Sequence, residues 1–264
     1  MTANSPVKKL SVLIITLNEE EHINALLPDL DFADEIVIVD SLSTDRTEDI
    51  SKSFSKVKFL QNKFENFSTQ RNFAIEQAKN DWVLFLDADE RLTPELKQEI
   101  IDTLQNTPHY SAYFFERTFM FENSILKYSG NQTDKIFRLF DKKFARYDKR
   151  RLVHEKLIVN GEIGFLKNKL IHYSFSSYNE YKEKIIFYAK FKAEEKFIKK
   201  TKTTFLHQLF HPSYNFFYNY IIRLGFLDGK KGIIICYLNA YCITVRYREL
   251  KKLWRQNQNL TSKT

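Results

Sequence analysis

Trp82-Val83-Leu84-Phe85-Leu86-Asp87-Ala88-Asp89-Glu90 (residues 82–90) runs five apolar side chains straight into two carboxylates separated by one alanine. An apolar run of this length, with aromatic and β-branched members, suits a strand buried on both faces of a sheet. Residues that follow such a strand emerge where open α/β sheets bind ligands, outside the carboxyl ends of the strands. Alternate residues of an extended chain point the same way, so Asp87 and Asp89 can converge on one locus. Two carboxylates that close repel unless a cation or a shared proton relieves them, and a divalent ion that also holds phosphate oxygens does so well. The competing reading is a strand end followed by a solvated acidic turn.

The pattern on either side extends the sheet. Residues 10–17 (LSVLIITL) form a first apolar run ending in Thr16-Leu17-Asn18 before Glu19-Glu20-Glu21. Ile23, Leu26, Leu27 and Leu30 then recur at helical spacing. Glu35-Ile36-Val37-Ile38-Val39-Asp40 is a second strand that ends in a carboxylate, followed by a polar turn with Ser41, Ser43, Asp45 and Thr47 and a helix to about residue 54. Residues 57–60 are a third strand, and Ser68 is the expected cap of a helix to about residue 79 that carries Arg71 and Asn72. Thr93-Pro94-Glu95 starts the helix after the Asp-Ala-Asp stretch: a capping hydroxyl, a proline at the first helical position and an acid in the first turn. Leu96, Ile100, Ile101 and Leu104 are its expected buried face. Strand and helix thus alternate through the first hundred residues, the mark of a mostly parallel sheet covered by helices. No G-x-G-x-x-G follows the first strand and no G-x-x-x-x-G-K-[ST] occurs, which disfavours a dinucleotide fold and a P-loop.

From Tyr110 to about residue 147 aromatic, β-prone segments take over, and further strands are expected there, at least one antiparallel, with a hairpin turn at Asn160-Gly161. Helical spacing returns after Tyr178 and persists, basic and aromatic, to the end. The 264 residues, 43% of them hydrophobic, allow one large domain or a domain with an appendage, and only 6 Gly and 5 Pro argue against long linkers. The expected division is an α/β domain at 1–200 and a helical extension at 201–264. Cys236 and Cys242 sit in an apolar stretch and suggest reduced thiols in a cytoplasmic setting rather than a disulfide framework. The first residues resemble neither a secretory signal nor a transit peptide.

The net charge of +8 hides an asymmetry. Residues 1–130 hold 13 Lys/Arg against 22 Asp/Glu, and residues 131–264 hold 28 against 11. An acidic front half suits a metal, and a basic back half suits an anionic surface or a phosphorylated acceptor; a nucleic-acid binder fits the front half poorly. A sugar nucleotidyltransferase shares the alternating layout, but Asn18-Glu19-Glu20-Glu21 after the first strand would repel a triphosphate. The tail from residue 201 is rich in Phe, Tyr, Leu and Ile with Lys and Arg at its flanks, and the apolar run 233–245 is short of the ~20 residues a span needs. Such helices fit attachment to the surface of an anionic membrane; the alternative is a helical subdomain packed on the α/β domain.

The segments SVLIITLNEE at 11–20, EIVIVDSLSTDRT at 35–47, QRNFAI at 70–75, WVLFLDADE at 82–90, RLVHEKL at 151–157 and FLDGKKG at 226–232 occur together, in order, over nearly the whole chain. In them the sequence resembles glycosyltransferase family 2, the inverting, nucleotide-sugar-dependent enzymes of GT-A fold. Within that family it looks most like bacterial enzymes that add β-1,4-linked glucose to heptose of the lipopolysaccharide core. The resemblance implies that Thr16, Asn18 and Glu20 line a nucleotide pocket and that Asp40 accepts from the uracil edge. It implies that Arg71 lies near the nucleotide or diphosphate, that Asp87 faces the ribose, and that Asp89 holds Mg²⁺ or Mn²⁺. Glu155 would be the general base, with Asp134 and Asp148 as alternatives. His172 would either join the metal shell or pack beside Tyr173. The implied reaction moves a hexose, UDP-glucose being the first donor to consider, to a lipid-linked saccharide; another UDP-sugar serving capsule, exopolysaccharide or protein glycosylation is the alternative.

Overall fold

The structure is a computed structural model that describes residues 7–106, 108–130, 135–148, 156–175 and 177–261. These fall into two compact units, one from residues 1–117 and 134–172, the other from 118–133 and 173–264.

The first unit opens with β1 (Leu10–Thr16), α1 (Glu20–Leu26), β2 (Glu35–Asp40), α2 (Thr47–Lys52), β3 (Val57–Gln61), α3 (Phe67–Gln77) and β4 (Trp82–Asp87). Strands β3, β2, β1 and β4 lie side by side in that order and all parallel. Because β2 pairs on one side of β1 and β4 on the other, the winding direction reverses at β1, which makes the carboxyl ends of β1 and β4 the switch point of the sheet. The apolar strands read as continuous runs because both faces are covered. Val12, Ile14, Ile36, Ile38, Leu84 and Leu86 pack on one side; Leu13, Val37, Val39, Val83 and Phe85 pack on the other with Ala74 and Ile75 of α3. Each such side chain contributes roughly 1.5–3 kcal/mol by leaving water.

Beyond β4 come β5 (Glu90–Leu92), α4 (Pro94–Gln105), β6 (Ala112–Phe121), β7 (Ser124–Ile125), β8 (Lys135–Asp141), β9 (Ala145–Tyr147), β10 (Leu157–Val159), β11 (Ile163–Phe165) and β12 (Leu170–Phe175). Strand β8 runs antiparallel between β4 and β6, as expected for the aromatic region. Three local expectations are corrected. The α3 cap is Asn66, whose side chain accepts from Thr69 N at 2.9 Å, while Ser68 is fully buried inside the helix. The face of α4 is Leu96, Ile100 and Leu104, with Ile101 only half-buried. Asn160-Gly161 does not close a hairpin: β10 pairs antiparallel with β9, and β11 pairs parallel with β6. Gly161, at φ +132°, is needed where a Cβ would come within 2.3 Å of Ser111 Oγ.

The second unit holds α5 (Tyr178–Ile198), α6 (Phe205–Phe217) and α7 (Gly229–Thr261). Helix α7 packs along α5 and α6, and Ile235 and Leu238 join Tyr181, Ile185, Phe121 and Leu126 in a core of their own. Asn239, the polar residue inside the apolar run, accepts from Tyr181 Oη at 2.6 Å. The helices after residue 201, expected as a separate extension, thus share a unit with α5 and with residues 118–133. The 226–232 segment ties this unit together: Asp228 accepts from the backbone N–H groups of Lys127 and Tyr128, both at 2.9 Å, and Lys231 Nζ donates to Glu122 O at 2.7 Å. Among the described residues, no helix is long and apolar enough to cross a membrane.

Candidate active site

Parallel register sets Thr16 and Asp40 side by side on one face at the carboxyl edge of the sheet and puts Asp87 on the other face. Thr16 is opposite Asp40, and Ile15 is opposite Asp87. Asp40 is fully buried; its carboxylate accepts from Thr16 Oγ1 at 2.9 Å, Ser43 N at 2.8 Å and Ser43 Oγ at 2.5 Å. An ionised carboxylate has about four lone-pair sites, so one is left for a further donor. The loops after β1 and β2 are laced to each other. Asn18, in the left-handed region at φ 55°, accepts from Thr44 N at 2.8 Å and donates its own N–H to Ser43 Oγ at 2.8 Å. Glu20 accepts from Arg46 N at 3.0 Å. The result is an ordered double loop with Asn18 at its exposed edge.

At the end of β4 a buried ionic cluster forms that the sequence reading did not include. Asp87 Oδ1 accepts from Arg71 Nη2 at 2.7 Å, and Asp87 Oδ2 accepts from Arg138 Nη2. Arg138, 1% exposed, also donates to Glu90 Oε1 at 2.6 Å, and Arg117 Nη1 reaches the same oxygen at 3.2 Å. Glu90 Oε2 accepts from Asp87 N at 3.0 Å, closing the ring. Burial alone would raise the Asp87 pKa, but Arg138 and Arg71 beside it hold its carboxyl well below the usual carboxylate range. Burial would likewise lower the Arg138 pKa, yet Asp87 and Glu90 keep it above the ordinary guanidinium value. The Arg71 guanidinium lies over the Phe85 ring, 4.6 Å from its centroid, and over Tyr147 at 5.4 Å. Asn72, next in sequence, grips the backbone of Tyr147 with both ends of its amide, at 2.9 and 3.0 Å. An arginine in the middle of Ile136-Phe137-Arg138-Leu139-Phe140 was the signal available for Arg138: a charge in a buried strand needs a partner.

Asp89 is not part of that ring. Strand β12 pairs antiparallel with β5, setting His172 opposite Glu90, and His172 Nε2 lies 3.1 Å from Asp89 Oδ2. The two side chains are 17% and 20% exposed, so the pair is reachable from solvent. Among the described residues no group of three His, Cys, Asp or Glu side chains gathers into a metal cage. One carboxylate and one imidazole converging on a point nonetheless fit a Mg²⁺ or Mn²⁺ ion that takes its remaining ligands from phosphate and water. Asp87, with both oxygens on guanidiniums, is not available for that task in this arrangement. Glu155, His154 and Asp134 lie outside the described residues; Asp148, half-buried, follows β9 with its N–H bonded to Lys156 O at 3.0 Å.

The sequence pattern described as Glycosyl transferase family 2 matches residues 11–169. A protein of Rickettsia bellii (strain RML369-C) described as an uncharacterized glycosyltransferase is 30% identical over 257 residues, covering 93% of this chain and 87% of that protein. The lipopolysaccharide core biosynthesis glycosyltransferase LpsC of Rhizobium meliloti (strain 1021) is 27% identical over 254 residues, covering 92% and 94%. Among solved structures, residues 1–349 of S. aureus TarS in complex with UDP superpose with a TM-score of 0.47 at 18% identity, covering 94% of this chain and 92% of that one. The mixed α/β sheet with its flanking helices is of GT-A type. The chain belongs to glycosyl transferase family 2.

Proposed function

We propose that the chain moves a hexose from a nucleotide sugar, UDP-glucose first among the donors to test, to a lipid-linked saccharide of the lipopolysaccharide inner-core type, inverting the sugar carbon by direct displacement. The observation that carries this reading is the Asp89–His172 pair beside the switch point of the sheet. The nucleotide would lie along the edge built by Thr16, Asn18, Glu20 and Asp40, with the last lone-pair site of Asp40 turned to the uracil edge. Arg71 and Asp87 form the wall on the ribose and diphosphate side, where a permanently charged fork suits phosphate. Asp89 and His172 would hold the Mg²⁺ or Mn²⁺, which supplies Lewis-acid neutralisation of charge on the departing diphosphate. Glu155 would take the proton of the acceptor hydroxyl as its oxygen bonds to the sugar carbon and the bond to diphosphate breaks; Asp134 and Asp148 are the alternatives. The name of LpsC supports a lipopolysaccharide-type acceptor, and such an acceptor calls for work at the inner face of the cytoplasmic membrane.

The test is binding and slow hydrolysis of a panel of UDP-sugars by the purified chain, with Mn²⁺ and with EDTA. A UDP-sugar signal that EDTA removes and Mn²⁺ restores is expected; binding of every UDP-sugar unchanged by EDTA would overturn the metal assignment.

A further inference from the structure

Helix α6 is inside out. Its half-buried positions are Gln208, Pro212, Asn215 and Phe216, a stripe at helical spacing of which two are polar, and the helix packs on α7, where His211 Nδ1 lies 2.7 Å from Tyr247 Oη. Its solvent side is apolar: Phe205 is 75% exposed, Leu206 61%, Phe210 62% and Tyr214 65%, and no residue of the helix is buried. The same surface continues through Tyr218–Ile222, where Ile222 is 67% exposed, and on to Phe226 and Leu227 in the turn Gly225–Asp228. A helix that covers a core turns its apolar stripe inward. Here the stripe points out, and an exposed apolar patch of this size marks a place of attachment.

The apolar run 233–245 is not the same kind of surface. Ile235, Cys236, Leu238, Ala240, Ile243 and Val245 of α7 are buried within this unit, so that run serves its core. The attachment surface is α6 and the turns after it.

The charge around the patch selects what covers it. Residues 196–227 contain five Lys/Arg and no Asp/Glu. Lys199, Lys200, Lys202 and Arg223 are exposed at its borders, and Asp228, the first acid beyond, spends both oxygens on the backbone of Lys127 and Tyr128. A second copy of the chain would meet the patch with the same cations, because a two-fold interface sets a surface against itself. An anionic bilayer meets both demands: acyl chains take the apolar side chains and headgroups take the lysines. At 13 residues α6 is about 20 Å long, too short to cross the ~30 Å hydrocarbon layer and suited to lying along it.

We infer that the outward face of α6, continued by Ile222, Phe226 and Leu227, inserts into the interfacial layer of an anionic membrane. This depends on the proposed function only for the identity of the acceptor, not for the surface itself. The test uses the full chain and sedimentation with vesicles of phosphatidylglycerol and phosphatidylethanolamine, against vesicles of phosphatidylcholine alone. Wild type is expected to bind the anionic vesicles preferentially, and the double variant Leu206→Asp/Phe210→Asp to bind them at least about a hundredfold more weakly, since two large apolar side chains are withdrawn. Its melting temperature and UDP-sugar hydrolysis in solution are expected to stay at wild-type values. A second measurement stands whether or not that variant folds: in Phe210→Trp, brominated lipid is expected to quench the new indole. Equal binding by wild type and the double variant, absent quenching, or a change of oligomeric mass as the variant's only effect would overturn the inference. Vesicle binding by a chain that turns over no UDP-sugar would leave this surface standing and sink the donor assignment instead.

Discussion

Arg138 sits between two carboxylates, and Glu90 on its inner side is fully buried. Removing the guanidinium leaves Glu90 with Arg117 at 3.2 Å as its remaining cation among the described residues, and breaking a buried ion pair in this way costs about 3–5 kcal/mol. Arg138→Met is therefore expected to lower stability by that order, read by chemical denaturation, and to loosen Asp87 as well. Asp89 makes the opposite case. It lies outside the ring and is partly exposed, so Asp89→Asn is expected to leave the melting temperature within a degree or two of wild type. The same substitution should nearly abolish Mn²⁺-dependent turnover; a variant that keeps its metal response would move the metal elsewhere. Glu155→Gln is expected to bind donor normally while transfer falls by orders of magnitude, measured by isothermal titration and by product formation. Asp87 and Asp89 were legible in the sequence as a pair, because two carboxylates at a strand end stand out. Their division of labour was not, since it depends on Arg138, which lies 51 residues from Asp87.

The elements that position the site were legible where their signal is local. Thr93 caps α4 as its sequence context indicates, accepting from Leu96 N at 3.1 Å, and Thr93→Ala is expected to cost about 1 kcal/mol in a thermal melt. The α3 cap lies two residues before the expected Ser68 because Asn66, Ser68 and Thr69 all carry capping side chains, and only packing decides which of them goes inside. The hairpin at Asn160-Gly161 failed for a related reason: the turn dipeptide is present, but β10 and β11 each find a better partner elsewhere. Gly232 shows how tightly the second unit is built. A Cβ there would stand 1.9 Å from Gly225 O, a backbone atom that cannot swing away. Gly232→Ala is expected to destabilise the unit by about 1–3 kcal/mol or more, seen as faster cleavage of residues 173–261 in limited proteolysis.

Over the whole molecule, the alternation of strands and helices was readable because every parallel strand is buried on both faces and so carries an unbroken apolar run. The second unit was harder. Its helices α5 and α7 and residues 118–133 are far apart in sequence, and no composition shift announces that they share a core. This changes what truncation does. A chain ending at residue 200 would strip Ile235 and Leu238 from Tyr181, Ile185, Phe121 and Leu126, exposing that core. Such a chain is expected to aggregate or to be degraded rather than to remain a tidy catalytic domain, which size-exclusion chromatography would show. The charge division is also a property of the whole chain: the acidic half supplies the carboxylates of the strand ends, and the basic half holds the residues bordering α6.

The ladder between β5 and β12 has a consequence for the order of events during synthesis. Asp89 leaves the ribosome some eighty residues before His172, the imbalance being the 83 positions that separate them. A nascent chain that has already folded its first strands holds an aspartate with no imidazole to complete it, and slipping the ladder by one residue would turn His172 to the opposite side. On the proposed metal assignment, the Asp89–His172 pair is complete only after a late strand has found an early one in register, and half-made copies would lack that site.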